Sequence, residues 1–125
     1  MIRSPNSTRP WQHVLEVISG YLILAKRLNH KDDLNGEAFN FGPKNSQDKT
    51  VKDVILEIKK NLPTFKWKIK KKKLFSESKL LKLNSSKAKR KLKWSNKLSF
   101  NETLKMTANW YEAFYKKKKN YKFYT

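Results

Sequence analysis

The 125-residue chain has no cysteine, three glycines, four prolines and only ten acidic residues. Without cysteine it can form neither disulfides nor thiolate metal sites. Gly20, Gly36 and Gly42 are too far apart to form the glycine-rich loop that cradles a dinucleotide. The longest apolar run, residues 17–25, is interrupted by Ser19 and falls well short of the roughly 20 residues that span a bilayer. These absences argue against a disulfide scaffold, a dinucleotide-binding domain and a membrane protein.

The length and the N-terminal residues favour a single cytoplasmic domain. A chain of 125 residues can bury one core but has no room for a second. Residues 1–6 contain no apolar signal core. We therefore expect a soluble protein that is not exported and does not enter a membrane.

The formal net charge of +20 is concentrated in the second half of the chain. Residues 1–63 carry ten basic and seven acidic side chains, a net charge of +3, and residues 64–125 carry twenty and three, a net charge of +17. Such asymmetry is typical of a surface that meets nucleic acid, anionic lipid or an acidic partner. A genome biased towards lysine would give the same excess. Charge alone therefore supports only solubility and non-specific binding.

Hydrophobic periodicity and capping residues predict four helices. The first covers Val14 to Asn29, and the second begins after Thr50 and ends at Pro63. A short helix follows Ser85, and a Ser-x-x-Glu capping box at 99–102 begins the last one.

Two of these helices have a pronounced apolar face that we expect to be buried. In the first helix this face comprises Val14, Val17, Ile18, Tyr21, Leu22, Ala25 and Leu28. In the last helix it comprises Phe100, Leu104, Thr107, Tyr111 and Phe114.

Short strands are expected at 38–43, 65–70 and 80–83, which gives a mixed α/β fold. Residues 65–70 alternate aromatic or aliphatic side chains with lysine. Interleaved aromatics and lysines can bind single-stranded nucleic acid. Because the alternation places the aromatics and the lysines on opposite faces, an edge strand with one lysine face explains the pattern more simply.

The residues alone do not predict a complete active site. His13 and His30 lie on different elements and have no further ligand at metal spacing. The acidic residues are scattered, and none marks a general acid–base pair. Tyr115 and Lys119 match the Y-x-x-x-K spacing of short-chain dehydrogenases, but lysine occupies every position of 116–119, so any tyrosine here would match.

Several blocks nevertheless resemble the C-terminal region of CDP-glucose 4,6-dehydratases, which are extended short-chain dehydrogenases/reductases that act on nucleotide sugars. The blocks follow the family's order. They are Arg9-Pro10-Trp11-Gln12-His13-Val14-Leu15-Glu16, Ser19-Gly20-Tyr21-Leu22, Gly36-Glu37-Ala38-Phe39-Asn40-Phe41-Gly42-Pro43, Leu81-Lys82-Leu83-Asn84-Ser85-Ser86-Lys87-Ala88, Leu92-Lys93-Trp94 and Trp110-Tyr111.

The resemblance implies a partial protein: a small C-terminal nucleotide-sugar-binding domain over 1–115 and a lysine-rich tail over 116–125. In the family, an N-terminal Rossmann domain binds NAD and carries the catalytic Tyr/Lys pair and the dehydration acids. The complete enzyme is a lyase that converts CDP-glucose to CDP-4-keto-6-deoxyglucose in deoxysugar and lipopolysaccharide biosynthesis. We therefore expect that this chain binds CDP-glucose, binds no NAD by itself, is not catalytic alone, and depends on a Rossmann half that is separate or missing.

The resemblance also implies which residues contact the substrate. Arg9 matches the arginine expected near the diphosphate, and Asn40 matches the asparagine of the family's N-F-G segment. Their chemistry suits these roles, because a guanidinium can bind two phosphate oxygens and an amide offers a neutral donor. Trp11 either forms a wall of the sugar or base pocket or anchors the loop in the core. Glu77 is assigned to the substrate site by the resemblance alone.

The chain departs from the family at three positions: Ser76 replaces a histidine, Asn84 an aspartate, and Lys93 a glycine. These departures suggest relaxed constraint and keep two alternatives open. One is a small basic nucleic-acid-binding protein that uses the +17 half. The other is a truncated remnant with no function, which would not fold stably because its elements would normally pack on the missing domain.

Overall fold

The computed structural model describes residues 1–30, 32–43, 48–69 and 81–120. It contains the four predicted helices: α1 (Val14–His30), α2 (Val51–Asn61), α3 (Ser86–Leu92) and α4 (Phe100–Asn120). A 3-10 turn, Asp32–Leu34, follows α1. None of the helices in these ranges combines the length and the apolarity needed to cross a membrane.

Capping boxes begin α2 and α4; the one at α4 was predicted, and at α2 the predicted start after Thr50 proves to be a full box. At α2, Thr50 Oγ1 accepts a hydrogen bond from Asp53 N at 3.1 Å, and Asp53 Oδ2 accepts one from Thr50 N at 2.8 Å. At α4, Glu102 Oε2 accepts hydrogen bonds from Ser99 N at 2.7 Å and from Ser99 Oγ at 2.6 Å. Each box satisfies backbone N–H groups that have no partner within the helix.

No regular strand occurs at the expected positions that the structure describes, so the mixed α/β prediction is only partly right. In the described ranges β pairing is limited to two isolated bridges, Ile2 with Ile69 and Thr8 with Thr50. The described part of the chain is therefore mostly helical. Residues 70–80, which include the last residue of the second expected strand and the first of the third, lie outside it.

The 38–43 segment shows why no strand formed there. Its carbonyl groups are bound by side chains instead of a neighbouring strand. Gln12 Nε2 donates to Phe41 O at 2.6 Å, Ser85 Oγ to Gly42 O at 3.0 Å, and Lys87 Nζ to Ala38 O at 2.9 Å.

The helices pack as two pairs, each around a small hydrophobic cluster. Helix α1 packs on α3, and α2 packs on α4. The first cluster comprises Leu34, Phe41, Ala88, Leu92 and Trp94. The second comprises Val54, Phe100 and Leu104, with Trp11 and Ile58 against it.

The predicted buried face of α1 is mostly exposed, which corrects the prediction. The buried residues of α1 are Glu16 and Gly20, and Val17 packs partly against the first cluster. Exposed apolar side chains occupy most of the rest of this face, namely Val14, Ile18, Tyr21, Leu22 and Leu28, and exposed Leu15 lies beside them. We call them the α1 apolar face. Periodicity identified an apolar face, but it could not show what covers it.

The prediction for α4 holds for its first half only. Phe100 and Leu104 are buried, whereas Tyr111 and Phe114 are 46% and 45% exposed. The α2 helix covers the first turns of α4, and Pro63 follows its end. The aromatic second half therefore extends beyond the helix that covers it.

Candidate functional site

The loop that carries Arg9 and the segment that carries Asn40 are joined by one hydrogen bond. Gln12 Nε2 donates to Phe41 O at 2.6 Å. Gln12 lies three residues after Arg9, and Phe41 directly follows Asn40. The fold thus brings together the two segments that sequence reasoning assigned to substrate contact.

The two predicted residues differ in their surroundings. Arg9 is half-buried, and its Nη1 donates to Thr8 O at 2.7 Å, which ties the guanidinium to the loop. Asn40 is exposed. Glu77 lies outside the described residues.

Phe41 fixes the position of the Asn40 segment. Its ring meets Tyr21 edge-on at 5.7 Å between centroids and Trp94 at 5.1 Å. It also packs directly on Gly20, where an added Cβ would lie 2.4 Å from Phe41 Cδ1. Close packing therefore explains the glycine in the middle of α1.

Trp11 makes the contacts of an anchoring side chain. Its ring packs against the second cluster, and its Nε1 donates to Lys49 O at 2.9 Å. These contacts fix the loop beside the N-terminus of α2. A role for Trp11 in substrate binding stays a prediction.

Gln12 and His13 also have structural contacts. His13 Nδ1 accepts a hydrogen bond from Leu15 N at 3.3 Å, at the first turn of α1. Gln12 Oε1 is buried and has no hydrogen-bond partner in the described part of the chain. A buried acceptor without a partner costs free energy, so a ligand group that donates a hydrogen bond to it, such as a hydroxyl, would be stabilised there.

Glu16 organises the packing of α1 against Trp94 and the loop before α4, and sequence reasoning missed it. Its side chain is 5% exposed, and Oε1 accepts from Lys97 N at 2.7 Å and Leu98 N at 2.6 Å. Its carbonyl and Ser19 Oγ both accept from Trp94 Nε1, at 3.2 and 3.0 Å. The sequence does contain a sign of this role, because Glu16 is an acid next to the apolar positions of α1. The sequence analysis counted it only among the scattered acidic residues.

An ion-pair cluster lies just before the Asn40 segment. Glu37 pairs with Lys87 at 3.0 Å and also with Lys91. The hydrogen bond from Lys91, followed by the one from Lys87, holds the pKa of the Glu37 carboxyl below its ordinary value. The pairs connect this segment to α3, and because they are exposed each adds little stability.

The described residues hold no metal-ligand cluster, and two of the three glycines are taken up by packing. No group of three or more His, Asp or Glu side chains with metal-site geometry occurs in the ranges described. A dinucleotide needs glycines that let the backbone approach its phosphates. Here the Gly20 space is filled by Phe41, and an added Cβ at Gly42 would lie 2.8 Å from Leu83 Cβ. Gly20 and Gly42 therefore serve packing.

No protein-family model matches the chain. Among curated proteins it is similar to CDP-glucose 4,6-dehydratase of Salmonella typhimurium, with 36% identity over 118 residues. The match covers 90% of this chain and 32% of that enzyme. The chain therefore spans about a third of the length of its curated relative. The predicted relationship is confirmed: this chain is a relative of CDP-glucose 4,6-dehydratase, and the match is consistent with the C-terminal region of that enzyme.

Proposed function

We propose that this chain supplies the CDP-glucose-binding part of a dehydratase whose NAD-binding part is provided separately. The observation that carries the proposal is the 36% identity along 90% of the chain. Identity spread over nearly the whole chain favours a shared fold and a shared ligand over a short chance motif.

The geometry of the two segments supports this assignment. The Gln12–Phe41 hydrogen bond couples the Arg9 loop to the Asn40 segment, and Trp11 anchors that loop on the core. In this arrangement Arg9 binds the diphosphate of the nucleotide sugar, and Asn40 donates to the ligand. Glu77 is proposed as a further contact from the resemblance alone.

The α1 apolar face supports a separate partner. Val14 and Leu22 are 63% and 67% exposed. Contiguous apolar surface of this kind on a basic, charge-rich protein marks an interaction site. We propose that it packs on the NAD-binding part, which also supplies the groups that react, and that the chain acts in the cytoplasm in deoxysugar synthesis.

A chimaera tests the proposed function. The matched region of the Salmonella enzyme is replaced by this chain, and CDP-glucose is titrated by calorimetry. The proposal expects saturable binding that CDP competes away. A folded chimaera that does not bind CDP-glucose would overturn the proposal.

The docking surface is tested separately by mixing the chain with the remainder of the Salmonella enzyme and measuring the sedimentation of the mixture. Leu22→Glu, which places a charge in the α1 apolar face, should abolish co-sedimentation. Leu56→Glu is the matched control because Leu56 is exposed on α2. Equal effects of the two substitutions would contradict a contact through α1.

A further inference from the structure

A basic groove runs along α3 to the end of α1, apart from Arg9 and Asn40. It consists of two pockets of about 460 and 530 Å³ that share Arg90 and Lys93. We define the basic groove by its cationic side chains, which are Lys26, Arg27, Lys89, Arg90, Lys91 and Lys93.

Most of this charge has no carboxylate partner among the residues that the structure describes. Arg27 pairs with Asp33 at 3.5 Å, and Lys91 pairs with Glu37. In the described part of the chain, the other four cations of the groove have no carboxylate partner. Like charges around one concave surface repel each other and attract an anion.

The helix dipoles explain the presence of only some of the cations in the groove. Cations in the last turn of a helix favourably interact with its dipole, and Arg27, Lys89 and Arg90 are in such positions. Lys93 lies past the end of α3 in the left-handed conformation, with φ 56° and ψ 22°. A side chain other than glycine is disfavoured there. The dipole does not explain Lys93, whose side chain lines both pockets of the groove.

The extent of the groove favours an anion with several charges, because its unpaired cations line two pockets that share Arg90 and Lys93. Ser86 and Ser95 line the first pocket and offer hydroxyl donors to phosphate oxygens. Trp94 is only 2% exposed, so it offers no stacking surface for a base. We propose that the basic groove binds the phosphodiester backbone of nucleic acid without regard to base sequence.

The test measures binding by fluorescence anisotropy over a range of salt concentrations. Two labelled single-stranded oligonucleotides of about 20 nucleotides are compared, one of mixed sequence and one with the same bases in scrambled order. Four phosphate contacts predict that log K falls with log[salt] with a slope of about −3. The two sequences should bind with equal affinity. A salt-independent affinity or a tenfold preference for one sequence would overturn the proposal.

Matched triple variants distinguish the groove from the bulk charge. Lys89→Gln/Arg90→Gln/Lys93→Gln should lower the affinity at least tenfold and reduce the slope by about 2. The control Lys52→Gln/Lys59→Gln/Lys105→Gln removes the same charge from exposed positions on α2 and α4 and should have a smaller effect. Equal losses in the two variants would refute a specific groove.

Two further arms complete the experiment. Lys93→Gly keeps the left-handed backbone, so its loss of affinity reports the side chain and not misfolding. Vesicles with anionic phospholipid headgroups test the membrane surface as the source of phosphate. Groove-dependent binding to these vesicles without binding to the oligonucleotide would contradict the proposal.

Discussion

Glu16 Oε1 accepts a hydrogen bond from the backbone N–H of Leu98 at 2.6 Å, which ties the first helix to the loop before the last one. The same oxygen accepts from Lys97 N at 2.7 Å. Both residues are 81 or 82 positions distant in sequence. A single buried carboxylate thus joins the two helix pairs.

Glu16→Ala should destabilise the protein by about 2–4 kcal/mol. The substitution removes two hydrogen bonds to a charged group and leaves their N–H donors without a partner. Glu112→Ala is the matched control on α4, where an exposed ion pair with Lys116 is worth less than about 1 kcal/mol. Urea unfolding followed by circular dichroism measures both. Similar losses for the two variants would contradict the organising role of Glu16.

Gly20→Ala should destabilise the protein by about 1–3 kcal/mol, although alanine is the better helix former. The added Cβ would lie 2.4 Å from the Phe41 ring, which Tyr21 and Trp94 already hold. The measurement is the urea midpoint, with near-ultraviolet circular dichroism to follow the aromatic packing. An unchanged or raised midpoint would show that the Phe41 ring can move aside, which would contradict its close packing on Gly20.

Lys93→Gly should raise the stability by about 1 kcal/mol, because glycine adopts the left-handed conformation without the steric penalty of a Cβ. Lys89→Gly is the matched control in the interior of α3 and should lower the stability by about the same amount. Thermal unfolding of the two variants measures the difference. If Lys93→Gly is also destabilising, the left-handed backbone at this position is not the source of strain.

Acid should weaken the capping box of α2. The backbone N–H of Thr50, and then its hydroxyl, lower the pKa of Asp53 below its ordinary 3.8. A lowered folded-state pKa contributes stability that is fully present above 3.8 and is lost as the pH falls through the folded value. Asp53→Asn should therefore flatten the dependence of the unfolding free energy on pH below about 4. Parallel curves for the wild type and the variant would be the contrary result.

Local sequence signals predicted the helices well. The Thr50/Asp53 and Ser99/Glu102 boxes are short-range patterns whose partners lie three residues apart, so the sequence contains the whole interaction. The stop at Pro63 is of the same kind.

Long-range contacts could not be predicted in this way. The strand at 38–43 depended on a neighbouring strand, and side chains from Gln12 and Ser85 occupy its carbonyls instead. The α1 apolar face depended on a partner surface that periodicity does not identify. Glu16 was missed because its two donors lie more than 80 residues away. For the candidate site, the resemblance to the family predicted Arg9 and Asn40. Only the fold showed that their segments are joined by a hydrogen bond.

The central claim is that the Arg9 loop holds the diphosphate of CDP-glucose, and it is tested most directly by the dissociation constant of the chimaera for CDP-glucose with Arg9→Ala. Loss of a charge-assisted contact to phosphate is worth about 1.5–3 kcal/mol, so we expect affinity to fall at least tenfold. Arg9→Lys should restore part of it, and Lys52→Ala, which removes an exposed charge on α2, should leave it unchanged. An Arg9→Ala chimaera that is folded and binds CDP-glucose as tightly as the parent would contradict the account.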